Sequence, residues 1–535
     1  MSTGSPAFNI ADLWELVVDA VPDDEAMVCG ERRLTYAQLD ERANRLASWL
    51  ASRGVGAGGH VGLHLYNSTE YVEGMLAAFK LRAVPVNVNY RYVAEELRYL
   101  FADADLVAVV HEPAFAPLID DVRAGDSLPL LRTTLARGGE YEAALASSPP
   151  DRLDVERSGD DLYVLYTGGT TGMPKGVMWR QEDIFFAAFG GSDLAAPEAI
   201  AERVVNGRAA RCFPACPFMH GTAHWMAFMT WFGGGGAVVV SDAPSLEPAS
   251  VWELVARERV TFLVIVGDAF ARPMVDALVA AGGADAYDLS TLSVILSGGA
   301  ILSPSVKDAL LAALPGTIVV DGYGASETGG QGQMVAAPGG SGAARPRFRM
   351  GDDTLVLDDH LQPVAPGSGA VGRVARRGRV PLGYYKDPVK SAATFPVVGG
   401  ERWAVPGDLA LVEEDGTITL LGRGSVSINT GGEKVFPEEV EAVLKSHPAV
   451  FDAVVVGVPD DRWGQRVTAV VALRPEAVGG SGSGLSLEEL AMHARRSLAG
   501  YKVPRSLVVV DAIVRSPSGK PDYRWAKTEA ERRLA

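Results

Sequence analysis

The chain has 535 residues, of which 47% are hydrophobic and 21% are charged, and its formal net charge is −17. This length exceeds a single hydrophobic core, so we expect two or more domains, and the negative charge disfavours nucleic acid and anionic membranes as partners. Three cysteines, no signal-peptide pattern and no run of 18 apolar residues predict a cytoplasmic protein without a disulfide framework or a membrane span.

The first clear element is a helix that begins behind Thr35 and Gln38, which have the spacing of a capping box. Apolar residues recur at helical spacing from Leu39, and Gly54 ends the helix. Residues 54–59 match the pattern GxGxxG, but they follow a helix and precede a strand-like run at 61–65. A dinucleotide site needs the opposite order, so we interpret these glycines as a turn.

Residues 160–325 alternate between apolar runs and amphipathic stretches. This alternation is typical of a parallel sheet with crossover helices, and ligands bind such sheets at the carboxyl ends of the strands. The loops at 167–172, 297–300 and 321–327 all follow predicted strands. The predicted strands are Leu162–Tyr166, Ala237–Val240, Phe262–Val266, Val294–Ser297 and Ile318–Val320, and the predicted helices are Val251–Arg257, Ala271–Ala281 and Val306–Leu314, the last capped by Ser303.

The loop after the first of these strands carries the strongest chemical signal. It reads Thr167-Gly168-Gly169-Thr170-Thr171-Gly172-Met173-Pro174-Lys175-Gly176. Glycines leave backbone N–H groups open to an anion, the threonines add hydroxyl donors, and a lysine can reach a phosphate. A Walker loop would place Gly-Lys-Ser/Thr at a helix start, whereas Lys175 lies between Pro174 and Gly176. The loop therefore predicts a phosphate site of another kind.

Four potential metal ligands lie between residues 212 and 224. Cys212, Cys216, His220 and His224 are spaced four apart, as zinc ligands on one helix could be. Prolines at 214 and 217 interrupt such a helix, so a zinc site is disfavoured.

The C-terminal region predicts a second, smaller α/β unit. Pro437–Lys445 is predicted as a helix, and Ala453–Val458 and Val467–Leu473 as strands. The glycines and serines at 479–484 form a flexible connector, and Ser486 with Glu489 opens another helix through a capping box.

Several of these motifs resemble those of the adenylate-forming enzymes, which include acyl-CoA synthetases, firefly-type luciferases and peptide-synthetase adenylation domains. The Thr/Gly loop resembles their phosphate-binding motif, with Gly168 in place of the usual serine. The other matching segments follow in the family's order between about Leu34 and Lys520: residues 217–221, 407–408, 422–423, 431–433 and 516–520. The phrases at 168–183 and 422–434 are most similar to actinobacterial ligases for steroid or terpenoid acids.

The resemblance implies an α/β fold with two domains. A large N-terminal domain, residues 1–422, would contain parallel sheets with crossover helices and a β-rich subdomain. A small mobile α/β domain, residues 423–535, would rotate about a hinge between two half-reactions. The hinge position usually holds Asp or Lys, and here it corresponds to Val426, so either Val426 or a neighbouring residue is the pivot.

The resemblance also implies roles for individual residues. Lys520 would bridge the carboxylate and the α-phosphate, Glu327 would hold Mg²⁺, and His220 would stand at the mouth of the acyl pocket. Asp408 and Arg423 would bind the ribose, and Tyr323 the adenine. The remaining residues expected to bind ATP, AMP or coenzyme A are Thr167, Gly168, Gly169, Thr170, Thr171, Gly172, Lys175, Gly298, Gly299, Ala300, Asp321, Gly322, Gly324, Ser326, Gly431 and Gly432.

The implied activity is an AMP-forming acyl-CoA ligase, which activates a carboxylic acid with ATP and transfers the acyl group to coenzyme A. Small residues beside bulky aromatics near His220 predict a wide pocket for a polycyclic or branched acid. Two alternatives stay open: an enzyme competent mainly in thioesterification from a preformed acyl adenylate, and a loader of an acyl carrier protein. The sequence also leaves open a homodimer.

Overall fold

A computed structural model of the chain describes residues 8–124, 128–168, 173–191, 194–207, 209–337, 347–430, 433–460, 462–478, 485–516 and 519–534. The helices are α1 Ile10–Ala20, α2 Tyr36–Ser52, α3 Thr69–Lys80, α4 Ala94–Asp103, α5 Ala116–Arg123, α6 Gly139–Ala146, α7 Gln181–Ala188, α8 Ala199–Asn206, α9 Gly221–Gly234, α10 Pro248–Arg257, α11 Gly267–Ala280, α12 Pro304–Ala313, α13 Pro388–Thr394, α14 Pro437–Lys445, α15 Pro475–Val478, α16 Leu487–Arg495 and α17 Tyr523–Leu534. Short 3-10 turns occupy Pro113–Phe115, Ala284–Ala286 and Gly424–Val426.

The strands are β1 Glu25–Cys29, β2 Arg32–Thr35, β3 His60–His64, β4 Val84–Asn87, β5 Leu106–His111, β6 Thr133–Ala136, β7 Leu162–Thr167, β8 Lys175–Arg180, β9 Arg211–Pro214, β10 Ala237–Val240, β11 Phe262–Ile265, β12 Val294–Gly298, β13 Ile318–Ala325, β14 Gly329–Ala336, β15 Arg347–Met350, β16 Thr354–Leu357, β17 Val371–Arg377, β18 Gly383–Tyr384, β19 Val397–Val398, β20 Glu401–Ala404, β21 Asp408–Val412, β22 Ile418–Arg423, β23 Ile428–Thr430, β24 Glu433–Val435, β25 Val450–Asp460, β26 Gly464–Leu473 and β27 Ser506–Val510. Helices and strands alternate along much of the chain, and the predicted α/β class is confirmed.

The first sheet carries the predicted parallel arrangement at its centre. Its strand order is β19-β20-β17-β21-β22-β15-β14-β13-β12-β11-β9-β10-β1-β2, with β16 beside β17. Strands β13, β12, β11, β9, β10 and β1 run parallel, whereas β14 and the later strands pair antiparallel. The parallel strands therefore end at a common edge, and the antiparallel extension forms the expected β-rich part.

The second sheet has the order β18-β8-β7-β4-β3-β5-β6. The prediction of crossover helices throughout residues 160–325 is wrong at its start, because β7 and β8 form an antiparallel hairpin in which Thr167 pairs with Lys175. Seven residues separate the paired positions, too few for a parallel crossover, which needs about a dozen or more. The Thr/Gly loop is thus the connection of a hairpin.

One apolar core joins the two large sheets. It contains Leu63 and Leu165 from the second sheet together with Val239 and Leu263 from the first. Helix α3 is buried along its whole length, because it packs within this core and presents no face to solvent.

The C-terminal sheet has the order β24-β23-β26-β25, with β27 parallel to β26. Ala453 and Val455 of β25 pack with helices α14 and α16, whereas Val454 and Val456 pack with α17 on the other face. This division follows from the period of two in a strand, which sends successive side chains to opposite faces.

Two of the three predicted side-chain caps at helix N-termini are present in the structure. Both capping boxes, at Thr35 and at Ser486, are present. The side-chain cap expected from Ser303 is wrong: the residue is at the N-cap of α12, but its hydroxyl donates to Asp268 Oδ1 at 3.0 Å. The connector predicted at 479–484 lies outside the described residues. No described helix combines the length and the apolar character needed to cross a bilayer.

Candidate active site

A cleft of about 890 Å³ opens where the parallel strands of the first sheet end. Its walls come from the end of β7, the start of α9, the loop after β12, strands β13 and β14, and residues 515–516 and 520–524 of the C-terminal region. The position agrees with the general rule that open α/β sheets bind ligands beyond the carboxyl ends of their strands. The predicted residues that line the cleft are Thr167, Gly168, His220, Gly298, Gly299, Gly322, Tyr323, Gly324, Ser326 and Lys520.

Lys175 and Glu327 border this cleft through a shared tyrosine. Tyr384 donates its hydroxyl hydrogen bond to Glu327 Oε1 at 2.9 Å, and Lys175 Nζ lies 5.1 Å from the centre of the Tyr384 ring. Burial and the nearby Lys390 lower the pKa of Lys175. Trp179 of β8 donates to the carbonyl of Ser326 at 2.9 Å and holds the loop that carries Glu327. A cation over the ring and a carboxylate at the hydroxyl group therefore share one tyrosine.

The residues around Glu327 fit a magnesium ion that is bound mainly by phosphate. Glu327 accepts one hydrogen bond from described residues, at Oε1, so its second oxygen remains available as a ligand. Within the described ranges, no group of three or more His, Cys, Asp or Glu side chains could hold a metal ion. Magnesium commonly takes one or two carboxylates together with substrate phosphates and water, so a single carboxylate is sufficient.

Asp408 is held by two neighbours at the junction of β21 and β22. Asp408 and Arg423 are partners in the register of these strands, and Arg423 Nε lies 3.2 Å from Asp408 Oδ1. Tyr323 donates its hydroxyl to Asp408 Oδ2 at 3.0 Å. Burial, with the charge of Asp408, raises the pKa of Tyr323 well above its ordinary value, so the phenol keeps its proton. The carboxylate is therefore fixed in orientation beside the cleft-lining ring of Tyr323.

Lys520 enters the cleft from the C-terminal region. The turn before it needs Gly519, because φ is +73° there and a Cβ would lie 3.2 Å from Val266 Cγ1. Arg515 ties the turn to the C-terminal sheet by donating to the carbonyl of Gly519 at 2.7 Å and pairing with Asp452 at 2.7 Å. The Lys520 side chain is exposed within the cleft. Enclosure by the cleft walls and the charge of Arg423 lower its pKa, and Glu327 and Asp408 oppose that change.

His220 lies at the N-cap of α9, but its side chain does not cap the helix. Its Nε2 is buried and has no hydrogen-bond partner among the described residues. Burial and the charge of Lys520 lower the pKa of His220 to about 3, so the imidazole is neutral at ordinary pH. A neutral, unpartnered ring nitrogen at the cleft wall can accept or donate a hydrogen bond to a ligand.

The four potential zinc ligands do not share a helix. Cys212 is in β9, Cys216 lies in the loop that follows, and His224 is in α9. His224 Nδ1 bonds the carbonyl of Phe218 at 2.7 Å, and its Nε2 bonds the hydroxyl of Tyr163. These contacts occupy both ring nitrogens of His224.

Two predicted site residues lie elsewhere. Asp321 does not line the cleft; it is buried in an ion pair with Lys307, whose Nζ lies 2.7 Å from Asp321 Oδ2. No sequence pattern indicated that Lys307 of α12 reaches across to β13. Ala300 packs against the apolar core and is likewise not part of the cleft lining. Gly169, Thr170, Thr171, Gly172, Gly431 and Gly432 lie outside the described residues.

The residues at the end of the cleft formed by α7, α9 and β14, called the far end here, were not predicted from the sequence. Helices α7 and α9 and strand β14 form this end, where small residues face methionines and one tryptophan: Ala187, Ala188, Gly190, Trp225, Met226, Met229, Gly329, Gly330 and Gly332. Small residues leave width, and methionine side chains adapt to irregular apolar shapes. The spacing of the glycines along residues 329–332 could have indicated this end of the cleft. No sequence pattern indicated that Tyr384 contacts Glu327 or that Arg515 contacts the turn at Gly519.

The C-terminal region contacts α11 through two ion pairs. Lys445 Nζ of α14 lies 3.4 Å from Asp268 Oδ2, and both side chains are at most 6% exposed. A second pair, Arg474 and Asp276, is 3.7 Å apart and lies at the surface, with side chains 31% and 46% exposed. Glu438 lies near Asp408 and Glu441, and burial together with these charges raises its pKa to about 7.

Comparison with known proteins places the whole chain among relatives. The profile of the family described as AMP-binding enzyme matches residues 14–385, and that of the AMP-binding enzyme C-terminal domain matches residues 439–520. The chain is 48% identical to a 3-oxocholest-4-en-26-oate–CoA ligase of Rhodococcus rhodochrous, over 99% of this chain and 97% of the relative.

A second relative and a solved structure also match nearly the whole chain. A medium/long-chain-fatty-acid–CoA/3-oxocholest-4-en-26-oate–CoA ligase of Mycobacterium tuberculosis is 49% identical over 99% of this chain and 97% of the relative. The crystal structure of an anthranilate CoA ligase in complex with anthranoyl-AMP superposes with a TM-score of 0.84 at 24% identity, covering 99% of this chain and 98% of that one. At this identity the structural likeness bears on the fold alone.

Proposed function

Because this chain belongs to the family of AMP-binding enzymes, we propose that it is an acyl-CoA ligase that activates a bulky, polycyclic or branched carboxylic acid with ATP and transfers the acyl group to coenzyme A. The observation that carries the proposal is the convergence of Lys520, His220 and Tyr323 on one cleft that Glu327 and Asp408 border. The names of the relatives support the class of acid, since both include 3-oxocholest-4-en-26-oate, a steroid carboxylate, although one also includes medium- and long-chain fatty acids.

The first half-reaction joins two anions, so repulsion between them has to be offset. A carboxylate oxygen of the acid attacks the α-phosphorus of ATP, a mixed anhydride forms and pyrophosphate leaves. Lys520 would bridge the carboxylate and the α-phosphate in this step, and Lys175 with Thr167 would bind the outer phosphates. Mg²⁺, when bound at Glu327, would neutralise charge that develops on pyrophosphate. Asp408 would accept the ribose hydroxyls, with Arg423 fixing its orientation.

The second half-reaction needs room for a thiol. Its sulfur attacks the carbonyl carbon of the adenylate, and AMP leaves with the bonding electrons. We propose that residues 423–535 form a domain that rotates against residues 1–422 and withdraws Lys520 before this step. The position of the 3-10 turn Gly424–Val426 between β22 and β23 supports a hinge there, because it is the junction of the first and third sheets.

The proposal is tested by two separate assays on a panel of fatty, aromatic and polycyclic acids. Pyrophosphate release without coenzyme A reports adenylation, and thioester formation reports the second step. We expect both with polycyclic or branched acids. A strong preference for unbranched long-chain fatty acids would contradict the proposed acid class. Thioester formation only from a supplied adenylate would favour the one-step alternative, and transfer to a carrier protein but not to coenzyme A would favour the loader.

A further inference from the structure

Gly168 replaces the serine that the resembling phosphate loops carry, so one hydroxyl is missing from this loop. Among the described residues, the atom nearest to the place where a Cβ of residue 168 would be is the hydroxyl oxygen of Tyr92, at 4.0 Å. No other atom of the described part of the chain, apart from the two neighbouring residues, lies within that distance. A hydroxyl from a distant part of the chain therefore reaches the region that a serine side chain at 168 would occupy.

Tyr92 is well placed to offer this hydroxyl to a ligand. It precedes α4, packs its ring against the apolar cluster that contains Tyr166 and Phe101, and lines the cleft together with Gly168 and Pro174. A turn in which Tyr92 N donates to the carbonyl of Asn89 at 3.1 Å holds its backbone. The side chain is therefore fixed at its base and along its ring, with its polar end at the cleft.

The protonation of Tyr92 suits a donor. Burial and the charge of Glu96 raise the pKa of Tyr92 to about 12, so the phenol keeps its proton at neutral pH. The nearby side chain of Asn89 acts in the opposite direction and lowers the pKa of Tyr92. The hydroxyl proton of Tyr92 itself has no acceptor among the described residues, and phosphate oxygens are strong acceptors.

We propose that the Tyr92 hydroxyl donates a hydrogen bond to the outer phosphates of ATP at Gly168 and replaces the donor that a serine at this position would supply. The inference rests on the proposed function, since it needs ATP in the cleft. It adds a binding residue that the phosphate-loop motif does not contain.

The test is a double-mutant cycle with direct binding measurements. Tyr92→Phe removes the hydroxyl and keeps the ring. Gly168→Ser is compatible with the backbone, because Gly168 does not have a positive φ and its Cβ would meet no atom of the described residues closer than 4.0 Å. Binding of ATP, inorganic pyrophosphate and AMP to the parent, to each variant and to the double variant is measured by calorimetry. Tyr99→Phe, which removes a hydroxyl from α4 outside the cleft lining, is the matched control.

We expect Tyr92→Phe to weaken ATP and pyrophosphate binding by about ten- to a hundredfold, the range for a hydrogen bond to a charged group, and to leave AMP binding unchanged. Gly168→Ser should restore most of this loss in the Tyr92→Phe background. Tyr99→Phe should bind all three ligands like the parent.

Unchanged ATP and pyrophosphate binding in Tyr92→Phe would overturn the inference, and so would an equal loss for AMP or additive effects of the two substitutions. A folding defect in Tyr92→Phe would weaken all three ligands and lower the unfolding temperature, which distinguishes it from the selective loss expected here. A parent that binds neither ATP nor pyrophosphate would refute the proposed function as well. A parent that binds both, with Tyr92→Phe unaffected, would refute only the role of Tyr92.

Discussion

The buried ion pair between Lys445 and Asp268 should stabilise the orientation of the C-terminal region that places Lys520 in the cleft. It should therefore control the fraction of the protein in that orientation. Lys445→Met removes the ammonium and keeps most of the aliphatic stem, so Asp268 Oδ2 loses its charged partner at 3.4 Å while remaining buried. Asp268 Oδ1 still accepts from the backbone and hydroxyl of Ser303 at 2.7 and 3.0 Å, which keeps the carboxylate in place. The unpaired charge therefore destabilises this orientation in particular.

The size of the effect follows from burial. Removing one partner of a buried pair typically costs about 3–5 kcal/mol, because a charge stays desolvated without compensation. If rotation exposes Asp268 to water, this cost applies only to the orientation that places Lys520 in the cleft, and the equilibrium shifts by about a hundredfold or more. Adenylation should then fall by at least about tenfold even if the parent strongly favours this orientation, whereas thioester formation from a supplied adenylate should be preserved.

Arg474→Met is the matched control. It removes a cation from an ion pair between the same two regions, but Arg474 and Asp276 are 31% and 46% exposed. Exposed pairs contribute about 0–1 kcal/mol, so adenylation should change by less than about fivefold. Single-turnover kinetics of both half-reactions compare the two variants, and adding Asp268→Asn to Lys445→Met should recover part of the loss because the carboxylate charge that lost its ammonium partner is itself removed. Equal adenylation in Lys445→Met and Arg474→Met, or equal losses in both half-reactions, would refute the reasoning.

Three other changes have defined outcomes. Glu327→Gln should abolish Mg²⁺-dependent adenylation with little change in unfolding temperature, because it removes a charge at nearly constant shape; unchanged adenylation at limiting Mg²⁺ would exclude Glu327 from the metal site. The raised pKa of Glu438, about 7 against an ordinary 4.5, means that this carboxyl is neutral in the present orientation below that pH and ionises unfavourably above it. Stability of the orientation is therefore lost as pH rises from about 4.5 to about 7, and Glu438→Gln should lose less adenylation than the parent between about pH 5 and 7; parallel pH profiles would contradict this. Gly330→Val should narrow the far end of the cleft and lower kcat/KM for polycyclic acids by about tenfold or more, while acids with short chains are little affected; equal losses for both classes would argue against a role in acid selection.

The elements with a clear hydrophobic period were predictable from the sequence. Ala237–Val240 and Pro437–Lys445 have the predicted bounds, because a short apolar run and an amphipathic helix with a first-turn proline are local signals. The hairpin between β7 and β8 was missed, since a glycine-rich loop has no period that distinguishes a hairpin connection from a strand-to-helix turn.

Site residues that depend on distant partners were less predictable. Asp321 follows a predicted strand just as the true cleft residues do, and only the packing of α12 reveals that Lys307 neutralises it. Tyr384 and Tyr92 reach the cleft from segments more than 50 residues away from the loops that they border, so no local pattern marks them. Lys520 was predicted from the family resemblance. The turn at Gly519, which places Lys520 in the cleft, was found only in the structure.

The central claim is that Lys520 serves adenylation alone, and single-turnover kinetics of Lys520→Ala tests it most directly. The lysine side chain is exposed within the cleft, so its removal should leave the fold intact. Loss of a transition-state contact of this kind typically costs about 10²–10³-fold. We predict that adenylate formation falls by at least about that factor, while thioester formation from a supplied acyl adenylate keeps the rate of the parent. Equal losses in the two half-reactions would contradict the account.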